Sequence, residues 1–561
     1  MLFIPSNTGN AIRRLISPWQ YTEETEGHGF HTDVGAQRKA HDTGKHIMSN
    51  TLRRVQMGLF ILAVLSIALV ASAQAGKPPA TTVPVVQSIT LLPGDGMNLT
   101  ITEQEPGRVA VKLTTTAANW FAGTFANLPT DRETTIELAL AGSGSKENPA
   151  SVVKWADLHP VMTYADPAKY ATYEWFAKDT QGRWVSGDPL KTGEARYAGT
   201  GKVPVQQVIP VAVAEQFLSR DGKYWSAWRE IETIDAVMDK NIFRIKQQFA
   251  LPKVTVAMRI PYPPKYQQAF SERLEKAHLP GVTVHAVGKS TQGRPLTVIQ
   301  VDDPDDANTA ANHPVLLLYG AEDGNEPDGA WVVDGAIRWL ISQDAEAQQL
   351  RKKVTVLAIP ELDVDGAASA TYACLTNTFM LTKPDQQPPA ATLGNTAFMN
   401  TWFKSGRRLD LVCAFHNVEC LEAPNVMCPI IDQRHVSVMQ TLNQTVLEHL
   451  AGYATTPKTW MTGFFDTRFS GWCSRHVGSL ATIYEINSRY PSQRLTQAHL
   501  QGAGMCFTQT FADFLYSPTF ATLAPAIERR RKNQYAQQQQ FWAKQKITRP
   551  PTPYETLVMG Y

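Results

Sequence analysis

The 561-residue chain has no Cys-x-x-Cys pair, no excess of either charge and no bias toward Gly, Pro or any repeat. The first absence argues against a structural zinc ribbon. The second leaves no electrostatic footprint for a nucleic-acid partner, since Lys plus Arg is 53 against 51 for Asp plus Glu. The third excludes collagen and wholesale disorder, and six cysteines are far too few for a disulfide mini-scaffold. What is present is ordinary globular material, 43% apolar. At roughly 150 residues per domain, that gives room for two to four domains with sizeable cores.

Residues 57–73, MGLFILAVLSIALVASA, are almost wholly apolar, with Arg53 and Arg54 just before them and Ala73-Gln74-Ala75 just after. A basic segment, an apolar run and a small-x-small site read as a secretory signal peptide, cleaved after Ala75. The expected location is therefore secreted or periplasmic, with no stable membrane association. The alternative is an anchor formed by 57–73, a run at the short limit for spanning a bilayer. Residues 1–47 carry four histidines (His28, His31, His41, His46) without periodic pattern and read as an extension outside the fold. Export would permit disulfides among Cys374, Cys413, Cys420, Cys428, Cys473 and Cys506, in any of 15 full pairings.

Two patterns follow one another along the rest. Over 85–260, SITLLPGD, RVAVKLTT, TTIELALA, QVIPVAVA and KVTVAMRI alternate with period two between turn residues, which predicts a β-sandwich. Its tryptophans (Trp120, Trp155, Trp175, Trp184, Trp225, Trp228) read as inter-sheet packing rather than a sugar platform. Beyond IPYPPKYQQAF, continuous apolar runs (LTVIQVDD, HPVLLLYGAE, KVTVLAIPELD, LDLVCAFHN, SLATIYEIN) alternate with stretches of helical spacing such as GAWVVDGAIRWLIS. That predicts a mixed, mostly parallel α/β/α sheet domain, whose site forms at the carboxyl ends of its strands.

Three of those strand ends carry chemistry: Glu322-Asp323-Gly324-Asn325-Glu326, Phe415-His416-Asn417 and Tyr484-Glu485-Ile486-Asn487. Carboxylates at i and i+3, a distant imidazole and a further acid form a metal-hydrolase kit. Two or three N/O ligands hold zinc, which acidifies water, and an acid outside the ligand set takes the proton. Blander roles exist for each. Asp323 can cap its turn, Glu326 can favour a helix dipole, and a strand-end His is often a hydrogen-bonded core residue. His313 begins its strand, at the wrong end to join the kit, and His476 lies nine residues before Glu485.

In order and spacing these segments resemble the zinc carboxypeptidases related to carboxypeptidase A, above all the cytosolic-carboxypeptidase group with a β-sandwich ahead of its peptidase domain. The resemblance runs over roughly 150–515, through LHPVMTY, VAMRIPYPPKY, VGKSTQGRPLTVIQVDD, AQQLRKKVTVLAIPELDVDG, LDLVCAFHN and ATIYEINSRY. Joined to the readings of composition above, it divides the chain into an N-terminal extension (1–47), signal peptide (48–75), leader (76–84), β-sandwich (85–262), carboxypeptidase-like α/β domain (263–520) and Gln-rich basic tail (521–561). It also implies one Zn2+ per chain on Asp323, Glu326 and His416, and Glu485 as the catalytic acid–base. Thr382 and Lys383 fall where the family grips the substrate's terminal carboxylate.

The departures from the family pattern have physical meaning. Asp323 stands where the family has His, raising the ligand charge from about −1 to about −2 and making bound water less acidic. Asp363-Val364-Asp365-Gly366 replaces Asn-Pro-Asp-Gly. Ala373 stands where an Arg polarises the scissile carbonyl, a donor commonly worth about 3–4 kcal/mol. Lys383 keeps a positive charge but loses the bidentate fork of Arg. Two functions follow: a metallocarboxypeptidase acting on peptides, or an inactive carboxypeptidase-like protein binding peptides or cell-wall fragments. A glycan-binding role for the sandwich ranks behind both.

Overall fold

The computed structural model describes residues 88–545 apart from internal stretches, the longest being 141–159, 187–208 and 211–228. Residues 1–87 and 546–561 lie outside the described residues, and so do the expected leader segments, Ala373, Thr382 and Lys383. Gln87–Tyr561 form one compact unit.

In its N-terminal part, Thr90–Leu92, Ala122–Ala126, Val254–Ala257, Val161–Thr163 and Arg229–Glu230 form one five-stranded antiparallel sheet. A second sheet runs Ile234–Val237, Ile242–Gln247, Thr134–Leu140, Ala110–Thr115, Leu99–Gln104. Alternate residues turn inward along 134–138, whereas 122–125, Val161–Thr163 and Val254–Ala257 are buried at every position. Phe125, Val254 and Val256 of the first sheet and Ile136, Leu138 and Ile245 of the second fall in the same buried cluster. Trp120 is part of that core, its indole N–H donating to the Gly96 carbonyl at 2.9 Å. Trp155, Trp225 and Trp228 lie outside the described residues, as do the side chains of Trp175 and Trp184.

The C-terminal part is an eight-stranded mixed sheet. Its strands are β1 (Val282–Lys289), β2 (Pro295–Val301), β3 (Val315–Gly320), β4 (Thr355–Ile359), β5 (Leu411–Asn417), β6 (Val426–Ile430), β7 (Pro457–Thr459) and β8 (Leu480–Ile486), in the order β1-β2-β4-β3-β5-β8-β6-β7. The central strands β4, β3, β5 and β8 are parallel. The neighbouring strands β2 and β6 join them antiparallel. Every residue of β3, β4 and β5 is buried, so these strands read as unbroken apolar runs: both faces of the sheet are covered.

The helices are α1 (Pro264–Ala277), α2 (Pro327–Leu340), α3 (Ala345–Arg351), α4 (Val364–Ser369), α5 (Ala390–Lys404), α6 (Val436–His449), α7 (Phe469–Val477), α8 (Gln497–Leu515) and α9 (Pro518–Gln545). Helix α2 is buried along its whole length, resting on β3 and β5 and crossing α8. The crossing is close because Gly504 has no side chain; a Cβ there would lie 1.9 Å from the Val332 carbonyl oxygen. Two charges inside α2 are fully partnered. Asp334 accepts from Arg338 at 2.6 Å and from Gln501 at 2.8 Å, and the Arg338 guanidinium also donates to the Tyr266 hydroxyl at 2.9 Å. Burial without those partners would cost several kcal/mol per ion.

The cysteines correct one expectation. Cys413, Cys473 and Cys506 are buried free thiols, not halves of disulfides. They pack as small apolar side chains, and burial pushes the Cys506 thiol up to about 12. Cys374 and Cys420, and the side chain of Cys428, lie outside the described residues.

Candidate metal centre

The centre lies at the carboxyl ends of the parallel strands. As β3 ends, Ala321 takes a left-handed conformation, φ 45°, an uncommon state for a residue with a Cβ. The following segment, Glu322–Glu326, leaves the strand direction and leads into α2 at Pro327. His416 is the penultimate residue of β5, and Glu485 is its register partner on β8. Pairing between parallel strands therefore puts imidazole and carboxylate side by side on one face of the sheet.

One ligand atom each from Asp323, Glu326 and His416 lies within 4.8 Å of the others, and all three residues are buried. The His416 Nδ1 lies 2.7 Å from Glu326 Oε2 and 3.5 Å from Asp323 Oδ2, while its Nε2 lies 3.5 Å from Glu322 Oε2. An imidazole and two carboxylates converging at strand ends suit zinc or a related divalent ion, so the donor set fits the group that the resemblance implies. Glu485 is half-buried beside the ligands, close enough to push up the Glu326 carboxyl.

Two residues that the sequence reading passed over complete the cluster. Glu322 accepts from the Tyr319 hydroxyl at 3.1 Å and from the Phe469 amide at 2.8 Å, so it caps the start of α7. A carboxylate is favoured there because the helix N-terminus carries partial positive charge. That cap holds the preceding residue, Arg468, over the centre. Its Nη1 donates to Asp323 Oδ2 at 2.9 Å and stands 3.4 and 3.5 Å from the two His416 ring nitrogens. Nothing in the local sequence, Thr467-Arg468-Phe469, marks that arginine as part of a site 145 residues away.

The electrostatics follow from three buried acids around two bases. Burial opposes charge on Asp323, but hydrogen bonding and charge from His416 and Arg468 win, holding its carboxyl well below the usual range. Burial pushes Glu326 up, to about 8, and Asp323 and Glu485 add to that against the pull of His416. Burial and Arg468 both disfavour the His416 imidazolium, yet Glu326, Asp323 and Glu322 outweigh them and hold its pKa well above the ordinary value. A protonated His416 and Arg468 together supply two positive charges.

Asp328, at the start of α2, ties the three strand ends together. Its Oδ2 accepts from Arg259 Nη1 at 2.7 Å and from the Ser488 amide at 3.0 Å, and its own amide donates to Asn417 Oδ1 at 3.1 Å. One residue, through its carboxylate and its own amide, thereby links the segments that follow Glu326, His416 and Glu485. Among the described residues, no other histidine joins the ligand group. His313 precedes β3, at the opposite end from the ligands, as its place in the sequence indicates. His476 stacks on Trp472 within α7, ring centroids 4.9 Å apart, and burial with nearby Arg475 depresses its pKa to about 3.

Comparison with known proteins places this geometry. The zinc carboxypeptidase family model matches residues 268–393. Cytosolic carboxypeptidase 6 of Homo sapiens is 28% identical over 115 residues, 20% of this chain and 23% of that protein. Its Caenorhabditis elegans counterpart is 29% identical over 121 residues, 22% of this chain and 26% of that one. The matched stretch thus spans about a quarter of the length of these relatives. Among solved structures, a metallo-carboxypeptidase from Pseudomonas aeruginosa, in complex with (2-guanidinoethylmercapto)succinic acid, superposes with TM-score 0.51 at 16% identity, covering 76% of this chain and 99% of that one. A metallo-carboxypeptidase from Burkholderia cenocepacia gives 0.50 at 13% identity with the same coverage.

The expectation of a secreted or periplasmic protein, cleaved after Ala75 or anchored by 57–73, does not stand, because the curated relatives are named cytosolic carboxypeptidases. The expectation rested on composition alone, an apolar run behind two arginines, in residues that lie outside the described ones. Among the described residues, no helix is long and apolar enough to cross a membrane. Residues 268–393 thus match the zinc carboxypeptidase family model, within a chain whose fold is that of the metallo-carboxypeptidases.

Proposed function

We propose that the chain is a zinc-dependent peptide hydrolase that removes C-terminal residues, with Asp323 in place of the usual first imidazole ligand. The observation that carries this reading is the convergence of Asp323, Glu326 and His416 within 4.8 Å, with Glu485 in register beside His416. Zinc bound by those three side chains would supply Lewis acidity toward a peptide carbonyl and toward water. Glu485 is the general base: it takes a proton from the attacking water and returns it to the departing amine. Asp328 positions the three segments through its bonds to Asn417 and Ser488. Lys383, with Thr382, attracts the terminal carboxylate as a point charge rather than a fork.

The test is release of free C-terminal amino acid from a peptide panel, with and without a chelator. Chelation is expected to abolish release. Glu485→Gln is expected to slow it by at least about 10²-fold while zinc content stays unchanged, which separates proton transfer from metal binding. Full activity in Glu485→Gln would remove that residue from the mechanism.

A second reading, an inactive peptide-binding protein on the same scaffold, draws on one specific observation. The guanidinium of Arg468 already lies on Asp323, and Ala373 supplies no positive charge for a developing oxyanion. Peptide binding without release of any amino acid, in zinc-loaded protein, would favour it.

A further inference from the structure

We propose that Arg468 is the resident cation of this centre: in the metal-free protein its guanidinium takes Asp323, and a divalent ion loads only by displacing it. The inference rests on the reading of Asp323, Glu326 and His416 as ligands, and deepens it by naming what controls their occupancy.

Three observations carry it. First, the contact is made to a proposed ligand. Arg468 Nη1 donates to Asp323 Oδ2 at 2.9 Å and stands within 3.5 Å of both nitrogens of a second proposed ligand, His416. Zinc would approach these same atoms at about 2 Å. A guanidinium left in place would then face a doubly charged ion a few ångströms away in a buried site, where such repulsion is poorly screened.

Second, the local charge requires a cation. Glu322, Asp323 and Glu326 are all nearly inaccessible to solvent (0, 0 and 5% exposed). Carboxyl groups so enclosed are tolerated as charges only when partnered, and Asp323 has Arg468 beside it as well as His416. Arginine suits the task, since its charge is permanent and its fork serves several acceptors.

Third, Arg468 is placed for exchange. It immediately precedes α7, whose first amide is pinned by Glu322, so the backbone is fixed. Its side chain is 11% exposed, whereas that of Asp323 is 0%. Arg468 is thus the member of this pair that keeps some exposure, and its side chain can swing away without the backbone of α7 unwinding. On this reading Arg468 closes the centre through Asp323 until a divalent ion displaces it.

The experiment is calorimetric titration of the full chain with Zn2+ alone, comparing wild type, Arg468→Gln and Arg468→Lys. Removing the competitor is expected to tighten zinc binding at least about tenfold in Arg468→Gln, with Arg468→Lys in between. Melting in the presence of a chelator gives a second readout: Arg468→Gln melts below wild type, and zinc raises its melting temperature more than that of wild type. Equal or weaker zinc binding in Arg468→Gln overturns the competition, because an arginine that merely orients Asp323 would help the metal. If Arg468→Gln does not fold, Arg468→Lys decides on the same criterion. Failure of zinc to bind wild type and both variants overturns the underlying metal-centre reading as well.

Discussion

Asp328→Ala is expected to lower stability by about 3–5 kcal/mol, the usual cost of removing one member of a buried ion pair. Asp328 is 0% exposed and its partner Arg259 is 3% exposed, so water cannot replace the lost carboxylate. The variant also loses the acceptor of the Ser488 amide, and a buried donor left without a partner adds to the penalty. Guanidinium denaturation should show the midpoint falling, with zinc binding weakened because the segments after Glu326 and Glu485 lose their shared anchor. The double variant Arg259→Met/Asp328→Leu should recover part of the loss, since an apolar pair of similar volume avoids the desolvation penalty. Wild-type stability in Asp328→Ala would mean that the ion pair between the N-terminal strands and α2 holds nothing together.

The second large effect is at Gly324. A Cβ at this position would lie 2.0 Å from the carbonyl carbon of Gly366 and 2.2 Å from the Ala367 nitrogen. Both atoms are backbone, so no side-chain rotation relieves the clash. Either the loop bearing Asp323 and Glu326 moves, or the start of α4 does. Gly324→Ala is therefore expected to lose zinc almost completely, together with about 1–3 kcal/mol of stability from overpacking. Zinc content and circular dichroism measured on the same preparation separate a displaced loop from an unfolded chain. Full zinc occupancy in Gly324→Ala would mean that this loop does not depend on its contact with the Asp363–Gly366 turn.

Much of the sheet was legible because its signal is local. The apolar runs at 313–322, 353–363, 409–417 and 479–487 each contain one strand, 296–303 covers all but the first residue of β2, and GAWVVDGAIRWLIS falls within or just after α2. Strands covered on both faces leave little room for ambiguity, since polar residues are tolerated only where the strand ends. The same logic exposed Asp323, Glu326, His416 and Glu485 as strand-end residues. The partners of those residues were hidden because their signal is not local. Arg468 reaches its carboxylate across 145 residues, and Asp328 reaches Ser488 across 160. An arginine before a helix or an aspartate in a first helical turn has an ordinary surface explanation in any sequence. The disulfide reading failed at Cys413, Cys473 and Cys506 for a related reason: it rested on an inferred compartment, while burial is decided by packing.

The arginine-closed centre also gives a physical sense to Asp323 itself. An imidazole at that position would carry no negative charge for Arg468 to neutralise, whereas under the proposed competition a carboxylate would serve the guanidinium and the metal in turn. The substitution and the arginine are in that sense one feature, made of two residues far apart in the chain.

The most direct test is zinc stoichiometry after equilibration of the full chain with excess Zn2+ and removal of unbound ion. About one zinc per chain is expected in wild type, falling to background in Glu326→Ala and His416→Ala with the fold retained. Background zinc in wild type, or unchanged occupancy in both variants, would contradict a metal centre built from Asp323, Glu326 and His416.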